Sequence, residues 1–269
     1  MSEEIQLKDL IKLNNFKGGL IWERNIENAK KKAVLELEKI SDEKLDEIFD
    51  LILAKKVNLS IFEDSEWTIL LNPLPDFIIY ITFMLKDEEF PSDMKIFYSK
   101  SSLSVPTEDA YVITDIYLNF LVYLANSEIL FEIESDQLIS LEEFCKNSTV
   151  LDAKKVYHDI ITQREVPLKE IKAPIIKKIV KILDMEYIED FDEKYLEWVV
   201  KEKLFKDLDI YYLKINENNE IKFNIYMSIS ILHYDPILIF YYLWIPLNAI
   251  IREARKIMGD SLTKISKYL

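Results

Sequence analysis

Three glycines, Gly18, Gly19 and Gly259, serve a chain of 269 residues. Loops that cradle a phosphate on bare backbone N–H groups need several glycines close together, so that whole class of site is excluded. Other chemistry-bearing residues are as scarce. There are two histidines (His158, His233), one cysteine (Cys145) and four arginines (Arg24, Arg164, Arg252, Arg255). Zinc sites need clustered Cys and His, and Ser–His or Cys–His pairs need a histidine within reach. Neither follows from this inventory.

What remains is an apolar, patterned chain. Hydrophobic residues make up 49% and run through its whole length, enough for a buried core. The net charge of -14 opposes binding to nucleic acid or anionic membrane, which relies on excess Lys and Arg. An acidic surface suits a basic protein partner or plain solubility. A lone Cys145 forms no internal disulfide, and the acidic start Met1-Ser2-Glu3-Glu4 lacks the basic and apolar regions of a signal peptide. The expected location is the cytoplasm.

Periodicity divides the chain. Glu4–Asn14 reads as a short amphipathic helix. From Asn25 to Lys56 two helices follow, joined near Ile40, the second opened by Ser41-Asp42. Val57–Phe62, Trp67–Leu71, Phe77–Leu85 and Met94–Ser99 are short, β-branched and aromatic, separated by turn-like groups, and read as an antiparallel meander. Pro106 starts a helix to about Ala125, and Ile129–Ile133 reads as a strand. The more polar stretch 134–172, with short helices near Leu141–Lys146 and Leu151–Thr162, reads as a connecting region. Beyond it, Pro174–Asp184 and Asp192–Phe205 read as helices. Leu208–Ile215 and Ile221–Leu232 read as a hairpin around Asn216–Asn219. Asp235-Pro236 opens a last helix to about Met258, with Gly259 as its C-cap.

The expected fold is α+β, antiparallel meanders packed against helices. It comprises an N-terminal half (1–133), the connection (134–172) and a C-terminal half (173–269). The helix-opening strings Asp42–Glu47 and Asp192–Glu197 are alike, which raises a diverged duplication. The strand spacings do not stay in step under this assignment, which favours coincidence of common amphipathic patterns.

One motif carries a mechanism. Pro75-Asp76, a gap, then Asp93-Met94-Lys95 has the form of the PD-(D/E)xK pattern of metal-dependent nucleases. Strand alternation puts Asp93 and Lys95 on one face. Asp76 and Asp93 would hold Mg²⁺ there, Lys95 would orient a water, and Glu47 would complete the set. The pattern is degenerate: Asp209 with Glu220-Ile221-Lys222 matches it too. Other acidic clusters lack the spacing and glycine of a calcium loop. No cofactor is expected outside the nuclease alternative.

The stretch Phe223–Ile251 carries a single formal charge, Asp235. Its uncharged part, Pro236–Ile251, falls short of the roughly 20 residues that span a bilayer, so a buried strand and helix is expected. Tyr226, Tyr234, Phe240, Tyr241 and Trp244 crowd this stretch. They read as core first, and otherwise as a partner surface or the lining of a cavity for an apolar ligand. His233 and Cys145 read as structural, His158 as exposed. The reading favoured from sequence is a non-catalytic binding module or subunit of a larger assembly. It would dock a protein partner, or a second copy of itself, through the acidic surface or the apolar C-terminal helix.

Overall fold

The computed structural model describes residues 7–58, 64–128, 137–147 and 153–264. The chain divides into two compact units, Met1–Leu130 and Phe131–Leu269. Each is a five-stranded antiparallel sheet with helices on one face, so the fold is α+β with two similar sheets.

In the first unit the chain order is β1 (Leu10–Ile11), α1 (Leu20–Leu37), α2 (Asp42–Leu51), β2 (Lys55–Lys56), β3 (Trp67–Leu74), β4 (Phe77–Met84), β5 (Asp93–Ser99) and α3 (Thr107–Ala125). The sheet order is β1-β5-β4-β3-β2. Alternation sorts the strand residues by face. Trp67, Ile69, Phe77, Ile79, Phe83, Met94 and Tyr98 are buried toward the helices. There Trp67 meets Phe49 of α2 at 5.0 Å, and the Tyr98 hydroxyl lies 2.8 Å from Thr114 Oγ1 of α3. On the opposite face Leu10, Tyr80 and Phe97 form a smaller buried cluster against Val57, Leu70 and Ile78.

The expected helix over Glu4–Asn14 is replaced, in its described part, by two 3₁₀ turns flanking β1. Leu10 and Ile11 pair with Ser99 and Tyr98, which takes the backbone groups a helix would use. The chain then turns sharply into α1 at Gly18-Gly19. A Cβ on Gly19 would lie 1.8 Å from the Leu13 carbonyl oxygen, whereas Gly18, at φ 83°, has open space. Gly19→Ala is therefore expected to cost about 2–3 kcal/mol through forced backbone movement. Gly18→Ala should cost only the left-handed strain of about 1 kcal/mol. Thermal unfolding of the two variants measures the difference, and equal shifts would refute the steric account.

The second unit runs β6 (Leu138–Ser140), α4 (Leu141–Asn147), α5 (Ala153–Glu170), α6 (Ala173–Ile182), β7 (Glu186–Ile188), β8 (Leu196–Phe205), β9 (Leu208–Glu217), β10 (Glu220–Ser228) and α7 (Pro236–Met258). Its sheet order, β6-β10-β9-β8-β7, repeats that of the first. Two expectations change. The stretch 134–172 is not a mere connection: it supplies β6, α4 and α5, and β6 pairs with the last meander strand. Asp192–Phe205 is not a helix. Asp192-Glu193-Lys194 forms bends and turns, Tyr195 sits at φ 60°, and the aromatic and β-branched run from Leu196 is a strand. The Ile129–Ile133 strand and most of Val57–Phe62 lie outside the described residues.

With β8 as a strand, the spacings do stay in step. One constant offset carries Ile48 onto Ile179, Leu53 onto Asp184, Trp67 onto Trp198, Leu74 onto Phe205 and Phe77 onto Leu208. Leu53 and Asp184 share a left-handed conformation, φ 57° and 54°. Each closes its helix the same way, Ala54 N–H to Phe49 O at 2.8 Å and Met185 N–H to Val180 O at 2.9 Å. After the meanders a slightly shorter offset holds. Ser101 Oγ donates to Asp76 O, and Ser230 Oγ to Asp207 O. The two units are built to one plan down to individual hydrogen bonds.

The last helix, α7, is capped as expected. Asp235 accepts from Ile237 N–H at 2.8 Å, and Gly259, at φ 62°, donates to Arg255 O. Pro236–Ser261 is long and apolar enough to cross a membrane by length and composition, yet 61% of its most apolar window is buried by the protein itself. Ile239, Phe240, Leu243, Leu247 and Ile250 are fully buried. It packs as a core helix of its unit against α5 and α6.

Candidate binding groove

A groove opens in the first unit where β1 ends. The strand pairs only with Tyr98 and Ser99 of β5, and at Lys12 the chain turns away. The rest of β5 is therefore a sheet edge. Hydrogen-bond direction shows which of its groups face outward. Val57 N–H donates to Thr68 O and Glu66 N–H to Phe83 O, so Thr68 points toward β2 and Phe83 toward β3. Alternation then points Thr82 and its partner Lys95 at each other. Met94 and Ile96 are left with their N–H and C=O directed away from β4, where no strand pairs with them among the described residues. Met94 is nonetheless fully buried and Ile96 half-buried, with α1 packed against β5.

Along this edge lies an open groove of about 100 Å³. Lys95, Ile96, Phe97 and Tyr98 form one wall, Glu23, Ile26, Glu27 and Lys30 of α1 the other, and Lys12 and Leu13 one end. Its charges are not all compensated. Lys30 is paired with Glu27 at 2.8 Å, and Glu23 accepts from Asn14 at 3.1 Å. Lys12 Nζ sits 5.9 Å from the Phe97 ring centroid. Neither Lys12 nor Lys95 has a carboxylate partner among the described residues. In a chain of net charge -14 this is a local reversal of sign.

The residues expected to form a nuclease centre are not brought together. Asp76 occupies the β3–β4 turn at φ 63°, exposed, after Pro75. Asp93 pairs with Met84 at the far end of β4. The 8 residues of β4 separate the two acids, about 25 Å at 3.3 Å per residue. Asp93 and Lys95 do share a face, but Glu47 is exposed on α2. The second match fails likewise. Asp209 is held by Lys201 at 2.9 Å, while Glu220 lies at the opposite end of the β9–β10 ladder. Among the described residues no three His, Cys, Asp or Glu side chains are grouped to hold a metal ion.

Nor do the C-terminal aromatics form one surface. Phe240 is buried with Phe144 at 5.6 Å. Tyr234 is buried beside Phe205 and donates to Asp207 Oδ1 at 2.6 Å. Tyr226 is half-buried on the far face of the sheet, near Phe191. Only Tyr241 is exposed, with its ring edge to face with Trp244 at 5.4 Å. Trp244 lies under the Arg164 guanidinium at 5.4 Å, and its indole N–H has no partner among the described residues. His233 and His158 are exposed, and burial pushes the Cys145 thiol up.

A polar cluster in the second unit escaped sequence reading. Glu202 of β8 accepts hydrogen bonds from Tyr212 at 2.9 Å and Tyr242 at 2.8 Å, both fully buried hydroxyl carriers. Burial raises its carboxyl to about 7, against the pull of the two tyrosine hydrogen bonds. At the matching positions the first unit has Leu71, Ile81 and Ile113, all apolar and buried. The sequence signal was a Glu inside an aromatic strand, hidden by reading that stretch as a helix.

Residues 3–119 match a family model described as a domain of unknown function, DUF3786. That span lies within the first unit and contains the whole groove. No curated protein and no solved structure matches the chain.

Proposed function

We propose that the protein is a non-catalytic binding module, a subunit of a larger protein assembly that docks its partner through the groove between α1 and β5. The observation that carries this reading is a groove bordered by two exposed ammonium groups without carboxylate partners among the described residues, Lys12 and Lys95, in an otherwise acidic chain. The apolar residues of α7 are engaged in the core of their own unit, so that helix is a less suitable docking surface than the sequence suggested.

The test is the mass of the tagged protein recovered from its own cells after mild cross-linking. A partner present in stoichiometric amount is expected, retained by the wild type and lost by the double variant Lys12→Glu/Lys95→Glu. Both lysines are exposed, so the variant should unfold at the same temperature within about 0.5 kcal/mol of stability. Recovery of a bare 31.9 kDa monomer would overturn the reading.

A further inference from the structure

We propose that the protein associates with a second copy of itself, the acidic face of α2 in one copy docking on the basic face of α6 in the other. This surface is separate from the groove, and the inference does not depend on it.

The repeat aligns the two helices residue by residue. Both are 10 residues long, and the offset that carries Ile48 onto Ile179 also carries Leu45 onto Ile176 and Phe49 onto Val180. All six are buried, so the inner faces are equivalent. The outer faces are opposite. Asp46 falls on Lys177, Glu47 on Lys178 and Asp50 on Lys181, and each of these is exposed. One packing face therefore carries opposite charge at three successive outward positions.

Helix stability does not ask for all of these charges. Asp50 stands in the last turn of α2, the end where the dipole favours a cation, and no basic residue accompanies it. Nor do neighbours consume them. Asp46 pairs with Lys56, and Lys177 with Glu189 at 2.7 Å, both at the surface, where such pairs exchange at little cost. Glu47, Lys178 and Lys181 have no ion-pair partner among the described residues. Each face also offers an exposed aliphatic side chain beside its charges. Leu53, at the end of α2, is 43% exposed, and Ile182, at the end of α6, is 48% exposed. Three acids against three lysines give charge complementarity, and the aliphatic pair adds apolar contact.

Every copy carries both faces, so the complement of each is always present in the next molecule. Contact between unlike faces closes into a two-fold pair or runs on head to tail. Two chains of net charge -14 repel at long range. At physiological salt that repulsion is screened beyond about 8 Å, and the local sign decides the contact.

Light scattering of the purified full-length protein, at up to about 1 mM, measures the association. A mass above 31.9 kDa is expected, falling toward it at about 1 M salt. Asp46→Lys/Glu47→Lys/Asp50→Lys and Lys177→Glu/Lys178→Glu/Lys181→Glu should each be monomeric. Mixed in equal amounts they should associate again, because each then meets opposite charge. The first of them lowers the net negative charge, so general repulsion predicts more association where the α2–α6 contact predicts none. Lys178→Gln/Lys181→Gln, which leaves the paired Lys177 in place, should weaken association by about tenfold. The groove variant Lys12→Glu/Lys95→Glu should associate like the wild type. Thermal unfolding of each variant checks its fold, so failure of the folded pair to associate on mixing counts against the contact. A monomeric wild type would overturn the proposal, as would association that none of the α2 or α6 variants alters. A monomer that sediments with phosphatidylserine vesicles, and no longer does so after the α6 reversal, would give the lysine face to a membrane instead.

Discussion

Glu202→Gln is expected to make the protein more stable at pH 8, by about 1–3 kcal/mol, and to flatten the pH dependence of stability between 4.5 and 7. The carboxyl is raised from 4.5 to about 7 in the folded state because burial disfavours its charge. Between these values the folded state holds a proton that the unfolded state has lost. Stability is therefore fully present below pH 4.5 and declines as pH rises through 7, by at most about 3 kcal/mol. Glutamine offers the same shape without the charge. Its carbonyl accepts from one tyrosine and its amide donates to the oxygen of the other. Urea unfolding of both proteins from pH 4 to 8 measures the effect, and parallel profiles would sink it. The first unit suggests a sharper comparison. Glu202→Leu alone strands two buried hydroxyls, at about 1–3 kcal/mol each. Adding Tyr212→Phe and Tyr242→Phe restores the apolar character of Leu71, Ile81 and Ile113. The triple variant should return to within about 1 kcal/mol of the wild type or exceed it.

What the sequence disclosed depended on whether a signal was local. The caps of α7 are local, and Asp235, Pro236 and Gly259 do what their types imply. The β9–β10 turn is local as well: Asn218 and Asn219 adopt φ 50° and 70°, which asparagine tolerates. β8 was lost because both of its faces are buried. Trp198, Val199 and Val200 form a continuous apolar run with no alternation, and the preceding Asp192-Glu193-Lys194 imitates a helix start. That one misassignment also hid the repeat, since the offset between units is visible only when Trp67 and Trp198 both lie in strands. The shortest edge strands, β1 and β2, have no periodicity to read and exist through their partners. Of the groove, sequence reading singled out Lys95 alone, and for a partner that lies a strand-length away. Lys12, Glu27 and Lys30 come together because the chain leaves the sheet after Ile11, and nothing local announces that departure.

Glu197→Gln is expected to cost about 2–4 kcal/mol, and Lys214→Met distinctly less, although the two residues form one ion pair. Lys214 is almost fully buried. Its ammonium lies 3.1 Å from Glu197 Oε2 and 3.0 Å from Ile171 O, which also accepts the Trp198 indole N–H at 2.8 Å. Glu197 keeps 24% of its side chain exposed. Remove the glutamate charge, and a cation remains inside with only a carbonyl to face it. Remove the lysine, and the glutamate turns to water while Ile171 O keeps its indole donor. Methionine also fills a position that the first unit gives to Phe83, stacked on Trp67 at 5.1 Å. An apolar side chain beneath the tryptophan is therefore compatible with this plan of fold. Urea unfolding of the single and double variants gives the coupling. The double variant should cost little more than Lys214→Met alone, leaving an interaction energy above about 1 kcal/mol. If Lys214→Met proves the costlier change, the lysine stabilises the unit through contacts beyond its pairing with Glu197. The asymmetry argued from exposure would then be wrong. If the order holds, the charges of Lys214 and Glu202 mark where the second unit has departed from an apolar core that the first unit keeps.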